Sequence, residues 1–194
     1  MSIKLIPESI RRKYDIYERN HAIAILATDF PEEFNEILHV LENFQLNRTD
    51  IITPGGRKSP IAEKLDGALY NLNWKEKQFK IDITIDGEDY RTPTHKIDCC
   101  KSRIGVEIEW NNKDPFYDRD LSNFRLLHEV DALSVGIIIT RSDELQEIFN
   151  DLGKGSSYGA STTHFGKLQP RIDGRCAGGC PILVFAINKN CYTS

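Results

Sequence analysis

The sequence contains no long apolar run. Its longest apolar stretches, Val135 to Ile139 and Pro181 to Ile187, fall far short of the roughly 20 residues that a membrane-spanning helix needs. The first residues, Met-Ser-Ile-Lys-Leu-Ile, also lack the apolar core and the cleavage site of a signal peptide. We therefore predict a cytoplasmic protein that makes no contact with a membrane.

Cysteine is scarce and its count is odd. Five cysteines, two of them adjacent at Cys99 and Cys100, make a poor disulfide framework. Cys176 and Cys180 lie close together, but no second pair of His or Cys residues completes a zinc site at a familiar spacing. We expect reduced thiols, most of them buried.

Neither sign of charge has a large excess. The formal net charge of −4 argues against a protein that coats nucleic acid without specificity. The distribution is nevertheless uneven, because the segment from Leu152 onward has a single acid, Asp173, against the basic residues Lys154, Lys167, Arg171, Arg175 and Lys189. Acidic residues concentrate earlier, at 31–42 and around the motif described below.

Helical and strand patterns alternate along the chain, with no repeat, low-complexity tract or linker. Apolar residues at helical spacing predict helices over residues 31–44, 121–130, 143–152 and 161–168, and another that begins at Ser59-Pro60. Apolar runs, and apolar residues that alternate with polar ones, predict strands over 79–85, 96–100, 103–110, 135–140 and 181–187. We therefore predict a single domain over residues 1–194 with an α/β fold, in which helices flank both faces of a central mixed β-sheet.

Segment 103–110 places acidic side chains on one face of a predicted strand. With a period of two, Gly105, Glu107 and Glu109 share a face, and the opposite face is apolar, made of Ile104, Val106, Ile108 and Trp110. A short hairpin before this strand would bring Asp98 alongside Glu107. The sequence therefore predicts a cluster of three carboxylates.

Carboxylates at such close range raise one another's pKa unless a cation neutralises them. A small set of oxygen ligands suits Mg²⁺, which takes one or two carboxylates together with waters and a substrate phosphate. With the basic C-terminal segment, this interpretation describes an enzyme that holds Mg²⁺ against a polyanion. The alternative is a solvent-facing strand edge whose acids only keep the protein soluble. The spacing alone favours neither interpretation.

The pattern Asp98-x8-Glu107-Ile-Glu109-Trp-Asn-Asn resembles the active-site strand of type II restriction endonucleases of the BglII, BstYI and BamHI group, within the PD-(D/E)XK nuclease superfamily. The similarity continues in order along most of the chain, at 17–26, at the helices that begin near Pro31 and Ser59, and at the strands within 135–141 and 178–184. The resemblance implies a restriction-endonuclease-like fold and a Mg²⁺-dependent enzyme that hydrolyses phosphodiester bonds at a specific, palindromic site in double-stranded DNA. It also implies a homodimer, since two-fold protein symmetry matches a palindrome.

The same resemblance assigns the catalytic residues. Asp98 and Glu107 are the implied metal ligands. Glu109 stands where the superfamily usually has lysine and where this group has glutamate or glutamine, so its role is either general base or water-orienting group. A further polar residue near the end of the upstream helix corresponds to Glu76 or Lys77.

The implied DNA contacts lie after the active strand and in the C-terminal part of the chain. Asn111 and Asn112, followed by Lys113, could read bases, and an asparagine amide matches adenine in the major groove. The same residues also form a turn sequence, and we favour the DNA contact. A second surface would supply hydroxyl groups for phosphates and arginines for guanine edges, from Arg141, Ser161, Thr162, His164, Lys167, Arg171 and Arg175. The basic loop at Arg57-Lys58 either closes around DNA or is a solvated turn.

Two other functions stay open at this level. One is a PD-(D/E)XK nuclease with a repair or nicking role. The other is a DNA-binding protein without catalytic activity, in which the carboxylates are structural.

Overall fold

A mixed sheet of six strands forms the centre of the computed structural model, which describes residues 2–53 and 58–193. The strands along the chain are β1 (Tyr14–Arg19), β2 (Leu46–Asn47), β3 (Lys75–Ile85), β4 (Glu88–Lys101), β5 (Ile104–Ile108), β6 (Val135–Arg141), β7 (Ile182–Ile187) and β8 (Tyr192–Thr193). The six-stranded sheet has the order β1-β7-β6-β5-β4-β3, and β2 pairs separately with β8. Its central strands β5, β6 and β7 are parallel, whereas β1, β4 and β3 are antiparallel to their neighbours.

Helices cover both faces of this sheet. They are α1 (Glu8–Lys13), α2 (Ala22–Asp29), α3 (Pro31–Asn43), α4 (Arg48–Ile52), α5 (Pro60–Tyr70), α6 (Pro115–Glu129), α7 (Leu145–Asp151) and α8 (Phe165–Asp173). One core joins a sheet face to α1, α2, α3, α5 and α7, and a second core joins the opposite face to α6 and α8. The predicted α/β architecture is confirmed.

The parallel strands are buried over their whole length, as their continuous apolar sequences predict. Close packing of α6 requires a glycine in β6, since a side chain at Gly136 would overlap the ring of Phe124. This packing holds α6 against the sheet face to which Glu107 and Glu109 point.

Local boundaries differ from the predicted ones at two helices. α6 begins at Pro115 rather than at residue 121, because proline suits the first helical turn. α8 begins at Phe165 rather than at residue 161, because the preceding residues pair with another segment: Thr162 forms a bridge with Lys113, and the Thr163 N–H donates to the Asn112 carbonyl. Within the described chain, no helix is long and apolar enough to cross a membrane.

Candidate active site

The site lies where β4 and β5 diverge. The two strands pair only from Cys99 to Lys101, and beyond this point carboxylates replace the ladder hydrogen bonds. The Ile108 N–H donates to Asp98 Oδ2 at 3.0 Å, and the Asp98 N–H donates to Glu107 Oε2 at 3.3 Å. The predicted approach of Asp98 to Glu107 is therefore observed, and each carboxylate is fixed by the backbone of the opposite strand.

Glu107 and Glu109 do not face solvent. Their exposed fractions are 1% and 2%, because β5 is an interior strand and α6 covers the face that they share. The interpretation of these acids as a solubilising strand edge is therefore wrong. Burial of carboxylates without a function would be costly, since each must lose its hydration.

The buried carboxylates hold their protons more tightly than ordinary acids. Burial raises the pKa of Asp98 to about 6, and the Ile108 N–H opposes this by stabilising the charged form. Burial, together with the negative charge of Asp120, raises the pKa of Glu109 to about 9 and that of Glu107 well above its usual range. Within the described residues Arg119 reaches Glu109, but Asp98 and Glu107 form no ion pair, so these two acids are short of positive charge.

Asp120 is a fourth member of the group that the sequence analysis missed. It is fully buried on α6 and interacts with Glu109, and burial raises its pKa as well. Its spacing from Tyr117, Leu121 and Phe124 places it on the apolar stripe of the helix. A charged residue on such a stripe was the signal available in the sequence. We refer to Asp98, Glu107, Glu109 and Asp120 as the carboxylate cluster.

The polar residue of the upstream helix that lies beside the cluster is Asp66. It is 1% exposed on α5, forms an ion pair with Lys58, and raises the pKa of Asp98. Neither residue considered for this role, Glu76 or Lys77, lies on the helix, because α5 ends at Tyr70 and both belong to β3. Of the basic loop predicted around Arg57-Lys58, Lys58 is seen beside the cluster and Arg57 lies outside the described residues.

Two members of the cluster, Asp98 and Glu107, could together hold a divalent cation. Glu107 Oε1 is buried and has no hydrogen-bond partner among the described residues. In those same parts of the chain, no three Asp, Glu, His or Cys side chains converge into a group that could hold a metal ion. Two carboxylates are nevertheless sufficient for Mg²⁺, which completes its shell with waters and phosphate. Asp98 and Glu107 are a suitable pair.

Of the predicted DNA contacts after the active strand, Asn112 is engaged within the protein. Its Nδ2 donates to Glu109 Oε2 at 2.8 Å, and its backbone N–H donates to Thr163 Oγ1. The hydrogen bond from Asn112 lowers the pKa of Glu109, opposing burial. Asn111 has a left-handed backbone (φ 58°), which agrees with the turn sequence, and Lys113 is exposed.

Arg141 is buried, in contrast to the prediction that it contacts DNA. It is 2% exposed, its Nη2 donates to the Tyr158 carbonyl and to Thr162 Oγ1 at 3.0 Å, and its guanidinium lies over the rings of Phe149 and Tyr158. A side chain held in this way supports the segment around Thr162 and has no open path to a DNA surface. We therefore leave Arg141 out of the DNA-binding surface.

The remaining candidates differ in how far they are engaged. Lys167 forms an ion pair with Asp114 at 2.9 Å, and Arg171 forms one with Asp118 at 2.8 Å. His164 Nδ1 lies 2.5 Å from an oxygen of Asp143. Two further candidates are exposed, namely Ser161 and Arg175.

The five cysteines are free thiols, as expected.

Comparison with known families gives one match. The model of a family described as "Restriction endonuclease BglII/BglIII" matches residues 14–187, which include every strand of the central sheet and the whole carboxylate cluster. No match to a curated protein was found.

Proposed function

The chain belongs to the restriction endonuclease BglII/BglIII family, and from this membership and the site geometry we propose that it is a Mg²⁺-dependent type II restriction endonuclease. Its substrate would be a specific, palindromic site in double-stranded DNA. It would act as a homodimer in which each subunit cuts one strand, because a two-fold protein matches a two-fold site.

One observation carries this proposal: the carboxylates of Asp98 and Glu107, on two diverging strands, each accept a backbone N–H of the opposite strand, and neither forms an ion pair among the described residues. Asp98 is partly exposed and Glu107 is buried behind it, so the pair forms a site with one open side. A structural role would be served better by apolar residues of similar size, because buried charges are costly. A metal-dependent reaction on a phosphate, by contrast, requires oxygen ligands at an accessible position.

The proposed roles follow from these positions. Asp98 and Glu107 would hold Mg²⁺, which when bound polarises a phosphate and lowers the pKa of a nearby water. Glu109 would orient the attacking water or accept its proton, and Asn112 would keep the Glu109 carboxylate in place through the 2.8 Å hydrogen bond. The DNA surface would comprise Asn111, Lys113 and, in the C-terminal segment, Ser161, Thr162, His164 and Arg175. Lys167 and Arg171 lie in the same segment but would contribute less, because each already pairs with an acid.

Cleavage of plasmid DNA by the purified protein with Mg²⁺ tests the proposal. We expect discrete, reproducible fragments whose ends map to one sequence, and no cleavage when EDTA replaces Mg²⁺. Asp98→Ala should reduce cleavage by about a thousandfold or more while DNA binding is retained. Glu129→Gln, at an exposed position at the end of α6, serves as the matched loss of a carboxylate and should cleave like the wild type.

Other outcomes separate the alternatives. Smears or single nicks would indicate a nuclease with a repair or nicking role. Binding without cleavage, unchanged in Asp98→Ala, would indicate a DNA-binding protein with structural carboxylates. Sedimentation analysis with the mapped duplex tests the homodimer, and a single subunit on a palindromic duplex would contradict it.

A further inference from the structure

Arg119 lies at the edge of the carboxylate cluster and is anchored by two of its members. Its Nε and Nη2 donate to Asp120 Oδ1 at 2.9 and 2.8 Å, and Nη2 lies 3.4 Å from Glu109 Oε1. The guanidinium also lies over the ring of Phe116, 4.4 Å from its centroid. Two carboxylates and one aromatic face therefore hold a single cation in a defined orientation.

This cation is not enclosed by its partners. The Arg119 side chain is 33% exposed, whereas that of Asp120 is completely buried. The guanidinium borders a cavity of about 260 Å³ whose other lining residues are His95, Ser122, Asn123 and Leu126. The cavity thus places Arg119 beside Ser122 and His95, whose hydroxyl and imidazole groups can donate to a phosphate, whereas the Asn123 amide already donates to the His95 carbonyl.

A positive group at this place favours the approach of a phosphate. The carboxylate cluster is acidic, and a divalent ion held by Asp98 and Glu107 would leave Glu109 and Asp120 beside the phosphate. A DNA phosphate that approaches the cluster would be repelled by the remaining charge unless another positive group faced it. On the same helix, Arg125 also has an acidic partner, Glu129, but Arg125 is not among the described residues that line this cavity.

We propose that Arg119, with the cavity beside it, binds a backbone phosphate of the DNA next to the carboxylate cluster. This inference rests on the proposed nuclease function and adds a phosphate-binding residue to it. Asp120 acts as a positioning residue that holds the guanidinium toward the cavity. The planar guanidinium suits a phosphate because it donates two parallel hydrogen bonds.

The test compares Arg119→Gln with Arg125→Gln on a duplex that contains the site mapped from plasmid fragments. Binding is measured across a series of salt concentrations in the non-cleaving Asp98→Ala background, and cleavage is measured in the otherwise wild-type chain. We expect Arg119→Gln to reduce the salt slope of binding by about one and to slow cleavage by about tenfold or more. Arg125→Gln should change neither quantity. A folded Arg119→Gln protein with the wild-type slope and cleavage rate would overturn the inference.

A second variant covers the case in which Arg119→Gln does not fold. Ser122 is exposed and lines the same cavity, so Ser122→Asp places a negative charge there without touching the ion pair between Arg119 and Asp120. We expect Ser122→Asp to weaken DNA binding by about tenfold. Ser122→Asn introduces a side chain of nearly the same size as aspartate without the charge, and its DNA binding should be close to that of the wild type. Equal binding by the two Ser122 variants would overturn the inference. Failure of the wild-type protein itself to cleave would instead contradict the proposed function.

Discussion

The carboxylate cluster and the ion pairs at the start of α6 and in α8 are two groups of charged side chains that are built in opposite ways. The carboxylate cluster is buried and has charges of one sign, and its pKa values are raised because burial and mutual repulsion disfavour ionisation. The ion pairs between α6 and α8 lie near the surface, and each cation there has an acidic partner at about hydrogen-bond distance: Lys167 with Asp114, and Arg171 with Asp118. The Lys167 ammonium holds the pKa of Asp114 below its usual value.

This difference distinguishes charge that is available for function from charge that is already neutralised. The basic C-terminal segment is conspicuous in the sequence, yet two of its cations are compensated within the fold. The carboxylate cluster is less conspicuous, because its members are spread over 23 positions of the chain. Arg119 pairs with Glu109 and Asp120, yet Asp98 and Glu107 form no ion pair within the described residues. Uncompensated charge is costly, and it is therefore the stronger indication of a ligand.

The largest expected effect is the loss of cleavage, together with a gain of stability, when a buried acid of the cluster is replaced. Glu107→Gln keeps the shape of the side chain and removes a carboxylate whose pKa is raised well above normal. In EDTA at pH 8, we expect the free energy of unfolding to rise, because the folded wild-type chain must either protonate this acid or hold its charge without hydration, while cleavage with Mg²⁺ is lost. Urea denaturation measures the first quantity and plasmid cleavage the second.

The control for this variant is Glu129→Gln, which removes an exposed carboxylate and should change stability by less than about 0.5 kcal/mol. Destabilisation by Glu107→Gln would contradict the comparison, because it would mean that the ionised Glu107 is stabilised by partners within the protein.

The second effect is the dependence of stability on pH. Burial raises the folded-state pKa of Asp98 from 3.8 to about 6 and that of Glu109 from 4.5 to about 9, so the folded chain retains protons that the unfolded chain releases. Without metal, the contribution of these groups is therefore fully present below about pH 4 and is lost as the pH rises, at about 1.4 kcal/mol per pH unit for each retained proton. Urea denaturation in EDTA from pH 5 to about pH 9 measures the decline.

Two changes should flatten this profile. Glu109→Gln removes the group that retains its proton to the highest pH. Saturating Mg²⁺ should favour the ionised carboxylates and raise stability by about 2.7 kcal/mol at a hundred times the dissociation constant. A decline of unchanged steepness in both experiments would assign the pH dependence to groups outside the cluster.

The sequence predicted the carboxylates of the active strand, whereas the ion pairs of the C-terminal segment could not be derived from it, for physical reasons. A strand has a period of two, so the common face of Glu107 and Glu109 could be derived from spacing, and a hairpin brought Asp98 to them. Asp120 was missed because the first turns of α6 are rich in polar residues, so the apolar pattern predicted a helix only from residue 121 onward. The ion pair between Lys167 and Asp114 joins residues far apart in sequence, and such contacts depend on the packing of α8 against α6.

The third effect concerns Asn112, which connects the two regions. Its side chain binds Glu109 and its backbone is hydrogen-bonded to Thr163, in the segment that leads into α8. Since the hydrogen bond lowers the pKa of Glu109, Asn112→Ala should raise that pKa further. We expect cleavage to fall by about tenfold and its pH profile to move to higher pH. A change of sequence preference with an unshifted pH profile would instead indicate that Asn112 reads a base.

The smallest expected effect lies in the neutralised region. Lys167→Ala should change stability by less than about 1 kcal/mol, because a pair this near the surface is screened by solvent. It should also leave the salt slope of DNA binding nearly unchanged if Asp114 already compensates the ammonium.

Asp114→Asn is the more informative variant, because it releases Lys167 and leaves Arg171 paired with Asp118 alone. We expect its affinity for the mapped duplex to rise about threefold and its salt slope to steepen by up to about one. The opposite result is a salt slope that falls by about one in Lys167→Ala and stays constant in Asp114→Asn. It would mean that a DNA phosphate displaces Asp114 from Lys167 on binding. The surface acids would then position the cations for DNA and would not neutralise them in the complex.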